Sequence, residues 1–266
     1  MTEYKTWIKE VFDAASPSYG EEGASFFNYF GQALVHYAVL SEGEHVLDVA
    51  CGKGAVAFPA AERVGPEGRV VAIDFSEKMI EEAKRKKACD WLEFYAMDAE
   101  ALVFEDESFD VVLCGFGLFF FPDVQKALAE FKRVLKPGGC LALSIWGKKP
   151  ALDRWVAQRA KELGACRKLH LVPLENAERL TACLEEAGFT EIEVNEETQA
   201  FEQKDPQSWW ASILSHGTLG LYEQLSSENK ELLKKEAIEK ATSEGCLMQE
   251  RQAIYAACEK ALVELT

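Results

Sequence analysis

A doubly wound α/β sheet is the fold this sequence predicts, on three observations. From residue 44 onward, short apolar runs rich in β-branched residues alternate with amphipathic helical runs. The ends of those runs carry glycines or an aspartate, the residue types that deliver a loop to the binding edge of an open sheet. The chain has 266 residues, 48% of them apolar and 11% aromatic, enough for one sizeable core with embellishments.

The elements follow in order. Trp7, Ile8, Val11 and Phe12 share a face of a first helix, and Phe26, Phe27, Phe30, Leu34 and Tyr37 line a second. Ser16-Pro17-Ser18-Tyr19-Gly20 breaks the two with turn chemistry. His45 to Ala50 reads as the first strand, running into Cys51-Gly52-Lys53-Gly54. A helix is expected from Ala55 to Val64, kinked by Pro59. Arg69 to Ile73 is a second strand ending at Asp74, and Ser76 caps the helix bearing Met79, Ile80 and Ala83. Leu92 to Ala96 and Phe109 to Cys114 are the third and fourth strands. An amphipathic helix from Val124 to Leu135 is stopped by Lys136-Pro137-Gly138-Gly139, and Cys140 to Trp146 is the fifth strand. Asn176 to Ala187 is helical, Glu191 to Val194 extended, 205–245 helical, and Cys246 to Cys258 a last strand.

Charge narrows the partners. Lys and Arg number 29 against 45 Asp and Glu, a net charge of −16 whose field repels nucleic-acid backbones. The run Lys84 to Lys87 reads as the solvated, dipole-complementing end of its helix. The longest apolar run, Val111 to Phe121, is too short for a bilayer, which needs about 20 residues. No secretory leader pattern opens the sequence. The eight cysteines are scattered without CxxC or metal-ligand spacing. A reduced, cytoplasmic protein with no metal site and no membrane span is the expectation, its partner a small molecule.

The strand ends, read in order, describe an adenosine pocket. After the first strand, Gly52 and Gly54 let backbone approach a ligand and the next helix offers free N–H groups. Asp74 ends the second strand, where a carboxylate can accept from both ribose hydroxyls, with Phe75 and Met79 as walls for a base. Asp98 and Ala99 follow the third strand and offer a carboxylate for an exocyclic amine and an N–H for a ring nitrogen. Asp48 in the first strand, Asp74 and Asp98 could each alone be an ordinary strand-end cap; all three at consecutive ends favour a ligand. Gly52-Lys-Gly54-Ala-Val-Ala57, with Asp74 about 20 residues on, also fits a dinucleotide site for NAD. Against NAD stand Asp48 inside the strand, Lys53 in the loop, and Asp98-Ala99 as a second adenine-reading element.

The blocks VLDVACGKG (46–54), GRVVAIDFSEKMIEEAK (68–84), DAEALVFEDESFDVVLCGFGLFF (98–120) and ALAEFKRVLKPGGCLALSIWG (127–147) resemble class I S-adenosylmethionine-dependent methyltransferases. Within them they are similar to the small-molecule group that includes the ubiquinone/menaquinone-biosynthesis C-methyltransferases. The resemblance covers about residues 40–147 and fades after 150. It implies a Rossmann-like seven-stranded sheet, mostly parallel with the last strand antiparallel, N-terminal helices and a helical insertion before the last strand. It implies S-adenosyl-L-methionine as cofactor and S-adenosyl-L-homocysteine as product. Asp48, Ala50, Gly52 and Gly54 would hold its methionyl and ribosyl parts and Asp74 its ribose. Phe75 and Met79 would flank adenine, Asp98 and Ala99 would read its edge, and Cys114 and Gly115 would pass beside the methionine tail. Phe12-Asp13…Tyr19 looks like the family's element in which an aromatic closes over the cofactor. Ala50 stands where glycine is commoner, a replacement tolerable if its φ is negative; Phe119 stands where the quinone enzymes carry a basic residue.

The acceptor side is read from aromatics. Phe116, Phe119, Trp146, Trp209 and Trp210 are the expected lining, with Trp155 a further candidate and at least half of the phenylalanines at 116–121 expected in the core. His216, in Trp209-Trp210-Ala-Ser-Ile-Leu-Ser-His216-Gly217, is the candidate base, against a plain helix-end capping role. The organisation expected is one domain: a helical cap (1–40), a cofactor-binding core (41–204), a helical lid (205–245) and a last strand with its tail (246–266). A small-molecule methyltransferase, O-, C- or N-directed, is the function expected. The alternatives are a non-catalytic S-adenosylmethionine-binding module and, behind it, an NAD-dependent oxidoreductase.

Overall fold

The computed structural model describes residues 2–20, 26–87, 89–166, 174, 176–214, 218–244 and 248–262. Two helices, α1 (Glu3–Ala15) and α2 (Phe26–Tyr37), precede the alternating part. That part runs β1 (His45–Val49), α3 (Ala57–Val64), β2 (Arg69–Asp74), α4 (Glu77–Arg85), β3 (Leu92–Ala96), β4 (Phe109–Gly115), α5 (Val124–Val134) and β5 (Leu135–Trp146). Then come α6 (Ala151–Glu162), α7 (Ala177–Glu186), β6 (Thr190–Glu202), α8 (Pro206–Leu214), α9 (Leu219–Tyr222), α10 (Ser227–Ser243) and β7 (Met248–Glu259).

The strands form one seven-stranded sheet in the order β3-β2-β1-β4-β5-β7-β6. β1 pairs in parallel with β2 and with β4, β2 with β3 and β4 with β5, whereas β7 runs antiparallel to β5 with Trp146 opposite Ala253. The chain winds outward from β1 through β2 to β3, then returns to the other side of β1 for β4. That reversal puts the topological switch point at the carboxyl ends of β1 and β4, the place where such sheets bind ligands. The doubly wound reading holds, including the antiparallel last strand.

Several bounds differ from the expectation. α3 begins at Ala57 rather than Ala55, so Pro59 falls in its first turn, where the missing N–H costs no helical bond. β5 begins at Leu135, the last residue of the expected helix, and runs through the expected stop: Gly138 donates to the carbonyl of Lys260 and Lys260 donates to that of Gly139. β6 extends to Glu202, well past Val194. α6 was not anticipated at all, although Leu152, Val156 and Ala160 mark a buried stripe along it.

The described residues divide into two compact units. The sheet unit takes residues 27–147, 171–197 and 253–266, and thus most of the sheet with α2 to α5 and α7. Its centre is apolar, with Val46, Leu47, Val49, Leu113 and Leu141 all fully buried. The helical unit takes residues 1–26, 148–170 and 198–252. Its core gathers Leu152, Val156, Trp209, Ile213, Leu233 and Ala237 from α6, α8 and α10. Arg159 on α6 joins Glu236 on α10 through two bonds of 2.7 and 3.0 Å.

Candidate functional site

The loop after β1 is shaped by three residues in the left-handed region: Ala50 (φ 57°), Gly52 (φ 54°) and Gly54 (φ 91°). The condition of a negative φ, under which an alanine is tolerated there, is therefore not met. The strand is held to its neighbour immediately past this point, where Cys51 donates to the carbonyl of Ile73 at 2.9 Å, and the sharp turn between is made at Ala50. A left-handed alanine costs about 1–2 kcal/mol. Gly117 makes room for it, since a Cβ there would stand 2.5 Å from the Cβ of Ala50. The loops after β1 and β4 can meet only because that position is glycine. Gly54 is similarly constrained, with the Phe58 ring 2.6 Å from where its Cβ would be.

Asp48 lies at the middle of this arrangement, in β1 between Ala72 of β2 and Leu113 of β4. Its side chain is fully buried, and neither carboxylate oxygen has a hydrogen-bond partner of good geometry. Burial and the neighbouring charge of Asp74 push its pKa well above the usual carboxylate range, opposed only by the nearby amide of Ala57. The same surroundings push the Cys114 thiol up to about 12 and the Cys51 thiol well above its ordinary value, both by burial first and by Asp48 second. Both thiols stay protonated, so neither is a nucleophile. A buried carboxyl beside a second acid suits a ligand that brings positive charge, as an ammonium or sulfonium group does.

Asp74 performs the capping role that the sequence also allowed. Its Oδ2 accepts from the N–H of Gly52 and its Oδ1 from that of Ser76, each at 2.8 Å. A carboxylate offers about four acceptor positions, so capping and ribose binding are compatible. Met97 donates to the carbonyl of Asp74 at 2.9 Å, which draws the loop after β3 alongside. In that loop Asp98 accepts from Glu100 N–H at 3.0 Å, and Ala99 is buried. Phe75 is half-buried, while Met79 is only 1% exposed and its amide donates to Ser76 Oγ, the helix cap. Asp48, Gly52, Gly54, Asp74, Phe75, Asp98 and Ala99 thus gather at the carboxyl ends of β1, β2 and β3. Cys114 and Gly115 end β4 beside them.

Two participants escaped the sequence reading. Glu100 is buried and accepts from Asp123 N–H at 3.1 Å, which ties the loop after β3 to the head of α5. Ser144 is fully buried opposite Gly115, its hydroxyl without a partner among the described residues and its carbonyl accepting from Phe116 N–H at 3.0 Å. The signal for Ser144 was available, as a lone hydroxyl within the apolar run LALSIW.

An aromatic wall continues from β4. Phe116 stacks on Trp146 with ring centres 3.8 Å apart and an interplanar angle of 15°. Phe27 and Phe30 meet both rings edge-on, at 5.7 to 6.3 Å. Phe116 and Phe119 are buried, as expected of half of that run, while Phe120 and Phe121 are half-buried. Trp209 and Trp210 belong to the core of the helical unit, and the half-buried Trp155 packs against it with Lys240 over its ring at 5.6 Å. Tyr19, also in that unit, packs edge-on against Phe12 at 6.1 Å. His216 lies outside the described residues. Among the described residues no group of three His, Cys, Asp or Glu side chains could hold a metal ion, and no helix is long and apolar enough to cross a membrane.

Residues 47–143 match the model of a methyltransferase domain family. The chain is 41% identical over 145 residues to aklanonic acid methyltransferase DauC of Streptomyces sp. (strain C5), covering 53% of this chain and 66% of that protein. It is 39% identical over 163 residues to demethylmenaquinone methyltransferase of Listeria welshimeri, covering 58% of this chain and 69% of the relative. The matched part therefore spans about two thirds of these relatives' length. A crystal structure from Bacillus halodurans, provisionally assigned as a methyltransferase, superposes with a TM-score of 0.60 at 26% identity, over 86% of this chain and 97% of that one.

Proposed function

This chain belongs to the S-adenosylmethionine-dependent methyltransferases, and from that premise we propose that it methylates an O, C or N atom of a small, largely apolar or aromatic acceptor. The observation that carries the acceptor class is the stacked Phe116–Trp146 pair, flanked by Phe27 and Phe30 in the same unit that holds Asp48. The relatives named above bear the names of small-molecule acceptors, in keeping with that class.

The bound cofactor supplies a methyl group already activated on a sulfonium, so the protein's work is alignment and exclusion of water. Asp48 would face the cationic end of the cofactor and Asp74 its ribose. Asp98 and the Ala99 amide would read the adenine edge, with Phe75 and Met79 as its walls. Backbone at Cys114 and Gly115 would run beside the methionine tail, and the turn at Ala50, Gly52 and Gly54 would bring main chain close to it. Phe116, Phe119 and Trp146 would present the acceptor. Residues 205–245 would form a helical lid whose Trp209 and Trp210 line the acceptor, Tyr19 would close over the cofactor, and His216 would serve an acceptor that needs a proton removed. A small-molecule enzyme of this kind would work in the cytoplasm.

Transfer of labelled methyl groups to a panel of phenols, hydroquinones, aryl carboxylates and amines tests the proposal. Product formation with an aromatic acceptor is the expected result. Transfer only into RNA, DNA or protein would overturn the acceptor class. Tight S-adenosylhomocysteine binding with no transfer to any acceptor would favour a non-catalytic binding module, and NAD binding in its place would favour an oxidoreductase. For the lid, Trp210→Phe should alter acceptor KM or kcat while S-adenosylhomocysteine affinity stays within a few fold.

A further inference from the structure

A pocket of about 560 Å³, built wholly from the helical unit, opens at the head of α6. Its wall carries the cations Lys148, Lys149 and Arg154, a concentration of positive charge in a chain whose net charge is −16. All three are exposed, and the Arg154 guanidinium donates to the carbonyl of Lys149, which holds it over the approach to the helix. Glu244 and Glu250 also reach the wall, but Glu244 is engaged by Lys240 within α10 and its following residue.

α6 opens at Pro150 with no side chain capping its N-terminus, and Ala151 and Leu152 of its first turn line the pocket. The first N–H groups of a helix call for an acceptor, and the helix dipole favours an anion there. Asp153, the acid of that first turn, is turned inward instead, its Oδ2 accepting from Arg251 Nη1 at 3.2 Å. The Arg251 guanidinium lies 4.3 Å over the ring of Phe26 and also donates to Gln249 Oε1 at 3.1 Å. A guanidinium only donates, so this bond fixes the Gln249 amide with its oxygen toward Arg251 and its Nε2 facing away. Gln249 is 4% exposed, forms part of the pocket wall, and its Nε2 has no partner among the described residues. A buried, oriented donor, an uncapped helix head and three cations all ask for an acceptor with negative charge. Pro150, Leu152 and Met248 add apolar ground on the same wall.

We propose that this pocket binds a small organic anion, its carboxylate at the head of α6 among Lys148, Lys149 and Arg154, its apolar body against Pro150 and Met248. The inference goes beyond the methyl-transfer reading and stands whether or not that reading holds. Calorimetric titration of the full chain with 1-naphthoate, and with its neutral counterpart 1-naphthamide, tests it. Saturable naphthoate binding is expected, at least tenfold tighter than naphthamide and weakened by 200 mM NaCl, as charge pairing requires. Lys149→Gln combined with Arg154→Gln should weaken naphthoate at least tenfold, and Gln249→Leu several fold, while S-adenosylhomocysteine binds each variant as it binds the parent. Should the double variant lose both ligands through unfolding, Lys148→Gln alone decides, by a weakening of threefold or more. Equal affinity for naphthoate and naphthamide, no saturable binding of naphthoate, or an affinity untouched by these substitutions would overturn the proposal.

Discussion

Asp48 sets stability against the cofactor contact proposed for it, in one side chain. Its pKa is raised in the folded state above the unfolded value of about 3.9 by burial and by Asp74. A raised carboxylate pKa means that folding favours the protonated form. The cost of Asp48 is absent below the unfolded pKa, grows as pH rises through the folded one, and is complete above it. Asp48→Asn should therefore stabilise the cofactor-free protein at pH 8 by at least about 1 kcal/mol, and leave it unchanged at the acid end. Thermal unfolding across pH measures this. The same variant should bind the cofactor more weakly by about 1.5–3 kcal/mol, the worth of a hydrogen bond to a charged group. Asp74→Ala should cost about 2 kcal/mol or more of S-adenosylhomocysteine affinity by calorimetry, since it removes the proposed ribose partner and frees the Gly52 and Ser76 amides together.

The loops after β1 and β4 form one device at the scale of elements, because the left-handed turn at Ala50 needs the missing side chain of Gly117. Gly117→Ala should destabilise by about 1–3 kcal/mol, the usual cost of overpacking. Ala50→Gly should be neutral or stabilising alone, since relief of the left-handed strain outweighs the added chain entropy. Combined, the two should recover part of the loss, with a coupling of at least about 0.5 kcal/mol in a double-mutant cycle of urea midpoints. Strict additivity would mean that the loops do not touch as described. The thiol of Cys114, 3.1 Å from the same added Cβ, sets the limit on recovery.

For the whole molecule, the net charge of −16 predicts a thermal midpoint that rises with salt between 10 and 200 mM NaCl. The screening length falls from about 30 Å to under 10 Å over that range, which relieves self-repulsion. The two units predict a second contrast. Trp209 is fully buried in the helical core, so Trp209→Ala should cost about 3–5 kcal/mol locally. Hydrogen exchange should then quicken in α8 and α10 while β1 and β4 keep their protection. Equal loss across both units would show that they unfold as one.

The order of strands and helices, the acidic strand ends and the glycine loop were determined by the sequence itself. Each rests on local properties: β-branched apolar runs, capping side chains such as Ser76 and Asn176, and backbone freedom at Gly52 and Gly54. The missed elements divide by cause. The stripe of Leu152, Val156 and Ala160 has helical spacing and is legible in the sequence alone. β6 was read short because its sequence TEIEVNEETQAFE is mostly polar, and only a place at the sheet edge makes a strand of it. Tertiary structure alone decided that Lys136 to Gly139 continue a strand, because residue 260, far away in sequence, supplies the hydrogen bonds. It alone set Ala50 at positive φ, since the room for that turn comes from Gly117, 67 residues downstream. The pocket at the head of α6 was invisible for the same reason: its cations are local, but the donor that orients it stands on β7 and is aimed by Arg251.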